Sequence, residues 1–551
     1  MKKTRLMTVP IWVVVFILAC CLVAVVGCQS AEPASTTTDD GAKAINSTLK
    51  VGLCFDAPTL DAIYSYDYST AVVTQISEGL LYYDNQDALQ NGLAESWEEV
   101  DPTTYVYNVR SNVTFSDGTP MTMDDVMYSL ERYRDADLAS YLSWMYDSVD
   151  SIEQTGDWQF TVKLKQADAL WKHTFATTGG MIQSKAAIEA AGKDYGGPGS
   201  WPVGTGPYKV SAWSPGSEIV LEYNDNYWNK AADGEPDIKT VEFQIITEDA
   251  TRIMAITSGQ IDLNTVTPVD LLPDVEKSEN VNYYMIPSGG MQTITFNCLK
   301  APFDDANIRR AIACAIDIEP IQQSIVGEWG DPTNYLLVPE QLFTIDKQAW
   351  LDYQSNAKVF KYNLDEAKSY LAKSSKPDGF ECELLVGGNA TENSFALAVQ
   401  QALKELNITV NIKKVSNDEL NSTQFGTGIT DGVRPYEMAI FEWNPDFPDP
   451  SADLTPMLMS NGTGEGGSNF AAFKDKTVDA KLNEQAASAD DAERTKLMQE
   501  ALDIVNDQVP YYVWTHHKVI ITANKRITAG ISDLTASYFW HTFIKNVKVS
   551  E

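Results

Sequence analysis

From Ser47 onward the chain alternates short apolar runs of strand character with helical ones, and it does so for the rest of its 551 residues. A single hydrophobic core stops growing near roughly 250–300 residues, so a chain of this length needs at least two packed lobes. Leu49-Lys50-Val51-Gly52-Leu53 and Tyr105-Val106-Tyr107-Asn108-Val109 read as strands. Thr122-Met123-Asp124-Asp125 supplies an N-cap with an acid three residues on, and Val126, Met127, Leu130 and Tyr133 then share one helical face. Met498, Leu502 and Val505 repeat that spacing near the C-terminus, where Pro510 follows the expected helix end. Strands and helices mix without a strict βαβ rhythm, and the absence of a short-period repeat disfavours solenoids and propellers. The pattern predicts a large α/β or α+β protein of two lobes.

The N-terminus carries a different signal. Lys2, Lys3 and Arg5 precede an uncharged, mostly apolar run from Ile11 to Gly27. Its 17 residues fall short of the about 20 that usually span a bilayer. A basic flank, an apolar middle and a small residue before a cysteine fit a secretory signal. The run ends in Val25-Val26-Gly27-Cys28, which resembles a bacterial lipobox. That resemblance implies cleavage after Gly27 and a diacylglycerol on the Cys28 thiol; the alternative is an uncleaved signal anchor. Cys20 and Cys21 fit the pattern less well. Residues 29–46 are small and polar and read as a flexible tether. The 76 acidic against 41 basic residues leave a net charge of −35, which repels phosphates and argues against nucleic-acid partners.

Catalytic motifs are missing. The four histidines, His173, His516, His517 and His541, form no H-E-x-x-H, and no metal site is expected. There is no G-x-S-x-G elbow, and two S-x-x-K matches, at Ser47 and Ser355, lack companion motifs. Gly204-Thr205-Gly206-Pro207 lacks the lysine of a phosphate loop and places a proline where donors are needed, so it reads as a structural turn. Cys54, Cys298, Cys314 and Cys382 contain no C-x-x-C; a disulfide and buried free thiols both remain open.

Seven motifs in order resemble the family-5 extracellular solute-binding proteins, the oligopeptide and dipeptide receptors of ABC importers. They are Gly92-Leu93-Ala94-Glu95-Ser96-Trp97, Phe115-Ser116-Asp117-Gly118-Thr119-Pro120 and Asp125 to Arg132, then Pro202 to Tyr208, Asn226-Tyr227-Trp228, Ala250 to Gly259, and Pro302 to Asp305 with Arg309-Arg310-Ala311. Trp97, Tyr208 and Trp228 read as core or lobe-packing residues. The resemblance implies an α/β, two-lobed periplasmic-binding-protein-like fold with hinge crossovers and a large insertion in the N-terminal lobe. It divides the chain into a signal peptide (1–27), a tether (28–46), lobe I (47–286, with a subdomain at about 86–200), lobe II (287–507) and a return to lobe I (508–551). The crossovers are expected near Ile286–Asn297 and Gln508–Trp514.

In the family, the segment matching Trp443-Asn444-Pro445-Asp446 faces the cleft, and an aspartate matching Asp446 pairs with the peptide's α-ammonium. Asp446 as a turn cap is the other reading. Trp443 either walls the pocket or packs behind it. Gly289 and Gly290 would let a ligand backbone approach, or simply form a turn, and Tyr66 lies in a loop that reaches the cleft in relatives. No motif assigns Arg434 to a ligand carboxylate. The resemblance implies a monomeric, lipid-anchored extracytoplasmic receptor, without cofactor or reaction, that passes short peptides to an ABC permease. The same fold in relatives also binds sugars, opines or nickel complexes. A surface hydrolase is the alternative from another class.

Overall fold

The computed structural model describes residues 47–65, 69–333, 335–430, 433–535 and 537–550. The signal segment, Cys28, the tether and Tyr66 lie outside the described residues.

An 11-stranded mixed sheet is the spine of the molecule. From one edge its order begins Ile408–Lys414, Phe380–Val386, Met438–Trp443 and Val281–Phe296. It continues through Tyr511–Asn524, Leu263–Asn264, Thr48–Leu53, Thr240–Ile245, Glu218–Tyr223 and Tyr208–Ser214, while Gly330–Asp331 pairs beside Tyr511–Asn524. The period-2 alternation of a strand assigns its side chains to opposite faces. Met438 and Ile440 pack with Leu384, Val386 and Trp514, whereas Ala439, Phe441 and Trp443 pack on the other side with Met291, Phe470 and Tyr511. Both faces of this strand are buried, which accounts for its nearly unbroken apolar run. Leu49, Val51 and Leu53 contribute to a separate core with Tyr208, Leu221 and Ile521.

Two long strands, Val281–Phe296 and Tyr511–Asn524, run antiparallel and join the two ends of the sheet. Val281 to Pro287 pairs with Lys518 to Asn524, and Met291 to Thr295 pairs with Tyr511 to His516. The register breaks between Pro287 and Met291, and a bulge of this kind bends and twists a strand. Ser288, Gly289 and Gly290 occupy the break. The residues opposite it are His516 to Lys518, a little beyond Gln508–Trp514, because the second strand first spends Tyr511 to His516 against Met291 to Thr295.

A second, four-stranded antiparallel sheet has the order Ala94–Asp101, Thr104–Val109, Gln159–Leu164, Val149–Gly156. Its core stacks Tyr107 on Phe160, with ring centroids 5.1 Å apart. The capped helix spans Met123–Arg134 and buries Val126, Leu130 and Tyr133. The Thr122 backbone N–H donates to Asp125 Oδ2 at 2.9 Å, and the Asp125 N–H returns to Thr122 Oγ1 at 3.3 Å, a reciprocal cap that contributes about 1 kcal/mol. The helix Asp491–Gln508 buries Met498, Leu502 and Val505 and stops at Val509, before Pro510. Tyr208 is fully buried, while Trp97 and Trp228 are half-buried against the second core. Cys298, Cys314 and Cys382 are free thiols.

Candidate functional site

Phe380–Val386 runs parallel to both Ile408–Lys414 and Met438–Trp443, so the carboxyl ends of three strands lie side by side. Open α/β sheets bind ligands at such ends, where loops diverge and backbone groups are left for a guest. Here the loops begin with Gly387-Gly388-Asn389, Val415-Ser416 and Asn444-Pro445-Asp446. Because Val281–Phe296 is antiparallel to Met438–Trp443, with Met291 opposite Trp443, the register break at Gly289-Gly290 arrives at the same place.

The contact is close. A Cβ on Gly289 would stand 2.5 Å from Pro445 Cγ, and one on Gly290 would stand 2.4 Å from Asn444 Oδ1 and from the His517 ring. Only glycine fits there. Gly289 and Gly290 thus meet Asn444 and Pro445, the residues that lead into Asp446. The break itself is tied across the sheet: Ser288 Oγ donates to the His517 carbonyl at 2.6 Å and accepts from the Gly290 N–H at 3.1 Å.

Glu442 is the hub of the polar groups at these strand ends. Its carboxylate accepts from Asn444 Nδ2 at 2.8 Å and Gln292 Nε2 at 3.3 Å, and it lies 3.6 Å from His517 Nε2. Gln424 Nε2 donates to its backbone carbonyl at 2.7 Å. The His517 ring stacks on Trp329, with centroids 5.2 Å apart. A second carboxylate, Glu392, sits in the first turn of the helix Ala390–Leu403 that follows Gly387-Gly388-Asn389. Burial and then the charge of Glu442 push its carboxyl up to about 7. Apart from Asn444, none of these groups carried a site signal in the sequence, because they come from separated segments and only folding collects them.

Trp443 and Asp446 part company. Trp443 is buried, its indole N–H donating to Asp453 Oδ1 at 2.9 Å and its ring 5.9 Å from that of Phe470. It packs behind the strand end. Asp446 is half-buried, and its backbone carbonyl accepts from Trp540 Nε1 at 3.0 Å. The turn after it is capped by Asp449, which accepts from the Ser451 N–H at 2.9 Å and from Ser451 Oγ at 2.6 Å. Asp449 also accepts from Arg494 Nη2 at 3.0 Å in a fully buried ion pair. Burial opposes its charge, yet Arg494 and the Ser451 hydrogen bonds hold the carboxyl below its ordinary range. Phe447 reaches the second core, 5.9 Å from His173 and 6.1 Å from Trp144 between ring centroids. Arg434 is buried, and its guanidinium donates to the carbonyls of Gln424 and Gly467.

A cavity of about 1070 Å³ is lined by Glu78, Arg110, Trp228 and Lys545 among others, and by Trp540, whose indole N–H donates to the Asp446 carbonyl. In its wall Glu78 accepts from Trp228 and Tyr227, Lys545 pairs with Asp233, and Arg110 donates to the Gly92 carbonyl. Among the described residues no three His, Cys, Asp or Glu side chains come together as metal ligands, and no helix is long and apolar enough to cross a membrane.

Two halves joined by a broken pair of long strands, with glycines and a polar loop at the junction, define the solute-binding class of two-lobed protein. A family model for bacterial extracellular solute-binding proteins, family 5 (middle), matches residues 88–465. The chain belongs to this family, the extracytoplasmic solute-binding components of ABC importers. It is 28% identical over 494 residues to the probable D,D-dipeptide-binding periplasmic protein DdpA of Escherichia coli K12, covering 87% of this chain and 90% of that one. The fold matches DppA from Helicobacter pylori in complex with the peptide STSA, with a TM-score of 0.75 at 21% identity, over 92% of this chain and 98% of that one. It also matches AgaA from A. tumefaciens R10 in complex with agropinic acid, with a TM-score of 0.73 at 24% identity, over 92% and 99% of the two chains.

Proposed function

We propose that this protein is a monomeric, lipid-anchored receptor that captures short peptides and delivers them to an ABC permease. The observation that carries the reading is the meeting of Gly289-Gly290 with Asn444-Pro445-Asp446 at the carboxyl ends of parallel strands. In this reading Asp446 pairs with the peptide's α-ammonium, a charge-assisted hydrogen bond that strengthens as water leaves a closing cleft. Gly289 and Gly290 let the Asn444-Pro445 loop close on the strand break beside the ligand, Trp443 braces the loop from behind, and Tyr66 is a further ligand contact. The lobes divide at 286/287 and again near 508, and closure bends the two long strands where their register breaks. Lipid on Cys28 holds the body at the membrane, since each buried CH₂ adds about 0.8 kcal/mol. The likeness to a probable D,D-dipeptide-binding protein supports a peptide ligand.

A second reading keeps the fold and changes the solute; the likeness to a structure holding agropinic acid favours it. Titration of intrinsic tryptophan fluorescence with dipeptides and tripeptides, followed by chromatography of the same samples, separates the cases. The receptor binds saturably and returns every peptide intact. Cleaved peptide would show a hydrolase, and a response to opines alone would establish the second reading.

A further inference from the structure

At the strand ends two carboxylates, Glu442 and Glu392, come near enough for the charge of one to act on the other. Glu392 is only 6% exposed, and its Oε2 has no hydrogen-bond partner. Among the described residues no Lys or Arg lies within 4.0 Å of Glu392 or Glu442; the nearest titratable partner is His517, 3.6 Å from Glu442. Gln292 is 2% exposed and turns its amide nitrogen to Glu442, which leaves its Oε1 without a partner in the same place. A second buried acceptor is therefore left without a donor, on the side chain whose amide nitrogen bonds Glu442. Buried acceptors without donors are costly, and two carboxylates, one of them enclosed, raise each other's cost unless a positive charge lies between them. Glu442 is 43% exposed and Asn444, which donates to it, is exposed as well, so the cluster opens outward there. A guest arriving over Asn444 would meet it.

We infer that Glu442 and Glu392, with the Gln292 carbonyl, hold a positively charged group on the ligand, separate from the α-ammonium assigned to Asp446, so that the preferred solutes are short peptides with a basic side chain. This rests on the peptide reading above and narrows it. A primary ammonium has three donors, and Glu392 Oε2, Gln292 Oε1 and the Glu442 carboxylate present three acceptors. Charge-assisted bonds of this kind discriminate by about tenfold or more between a cation and its neutral isostere.

The test is calorimetric titration of the mature protein with Lys-Ala-Ala, Ala-Lys-Ala and Ala-Ala-Lys, and with the same peptides carrying Nε-acetyl-lysine. Cadaverine and pentanediol form a non-peptide pair. The expected result is at least tenfold tighter binding of one lysine peptide over its acetylated form, and a ratio that falls toward one in the Glu392→Gln/Glu442→Gln variant. Glu442→Gln alone, at the more exposed position, gives the same trend if the double variant folds poorly. Equal binding of lysine and acetyl-lysine peptides by the wild-type protein would overturn the cation site and leave the peptide reading standing. Binding of cadaverine over pentanediol without binding of any peptide would uphold the site and overturn the peptide reading. Indifference to every cation would overturn the inference outright.

Discussion

Gly290 and His517 sit so close across the two long strands that a methyl group on the glycine would stand 2.4 Å from both Cε1 and Nε2 of the imidazole. The same methyl would stand 2.4 Å from Asn444 Oδ1, so the strand break, the second strand and the ligand loop meet at one atom's width. Gly290→Ala is expected to cost about 1–3 kcal/mol, the usual penalty of overpacking, and to weaken ligand binding as the loop is displaced. Urea unfolding beside a peptide titration checks both effects. Adding His517→Ala removes one of the two obstacles and should restore part of the stability.

Asp446→Asn keeps the shape of the loop and removes the charge. Peptides with a free amino terminus should lose at least tenfold in affinity, the scale of a charge-assisted hydrogen bond, while N-acetylated peptides should change little. Equal losses for both would remove the ammonium-pairing role.

Arg494→Met leaves Asp449 buried without its partner. Breaking a buried pair from one side costs about 3–5 kcal/mol, and thermal or denaturant unfolding should show it. The sign with pH follows from the depressed Asp449 carboxyl. The wild-type pair contributes fully above the ordinary aspartate range, and its contribution is lost as pH falls through the lower folded value. Arg494→Met should therefore narrow its deficit against the wild type in acid.

Glu392 behaves oppositely. Its carboxyl is pushed up to about 7 by burial and then by Glu442, so between the ordinary glutamate range and neutrality the folded state holds a proton that the unfolded state has released. Stability should fall as pH rises through that window, by at most about 1.4 kcal/mol per pH unit from this group. Glu392→Gln should flatten the slope between about pH 5 and 7 in ligand-free protein. A slope unchanged by the substitution would show that Glu392 is ordinary in its titration.

Much of the scaffold was legible because its signals are local. The Thr122 cap with Asp125 and the spacing of Val126, Leu130 and Tyr133 gave the helix Met123–Arg134, and the Met498, Leu502 and Val505 spacing gave Asp491–Gln508. The family motifs added what periodicity cannot supply, the topology. The site was legible only where it follows a motif. Gly289, Gly290 and Asp446 could be singled out because they belong to short recognisable runs. Glu442, Glu392, Gln292 and His517 were not, because strand pairing and a helix start assemble them from distant segments. Trp443 shows a different limit: a tryptophan at a strand end can face either way, and here the buried acceptor Asp453 draws its indole inward. Asp449 caps the turn that follows through Ser451, a role with no motif behind it, since only the fold places Arg494 beside it.

In the proposed reading the strand-end site holds a short peptide. Native mass spectrometry of the mature protein, purified from cells without added ligand, tests it most directly. The expected result is a heterogeneous set of bound masses that fragment into short peptides, enriched in lysine or arginine. A single non-peptide mass at full occupancy would contradict it.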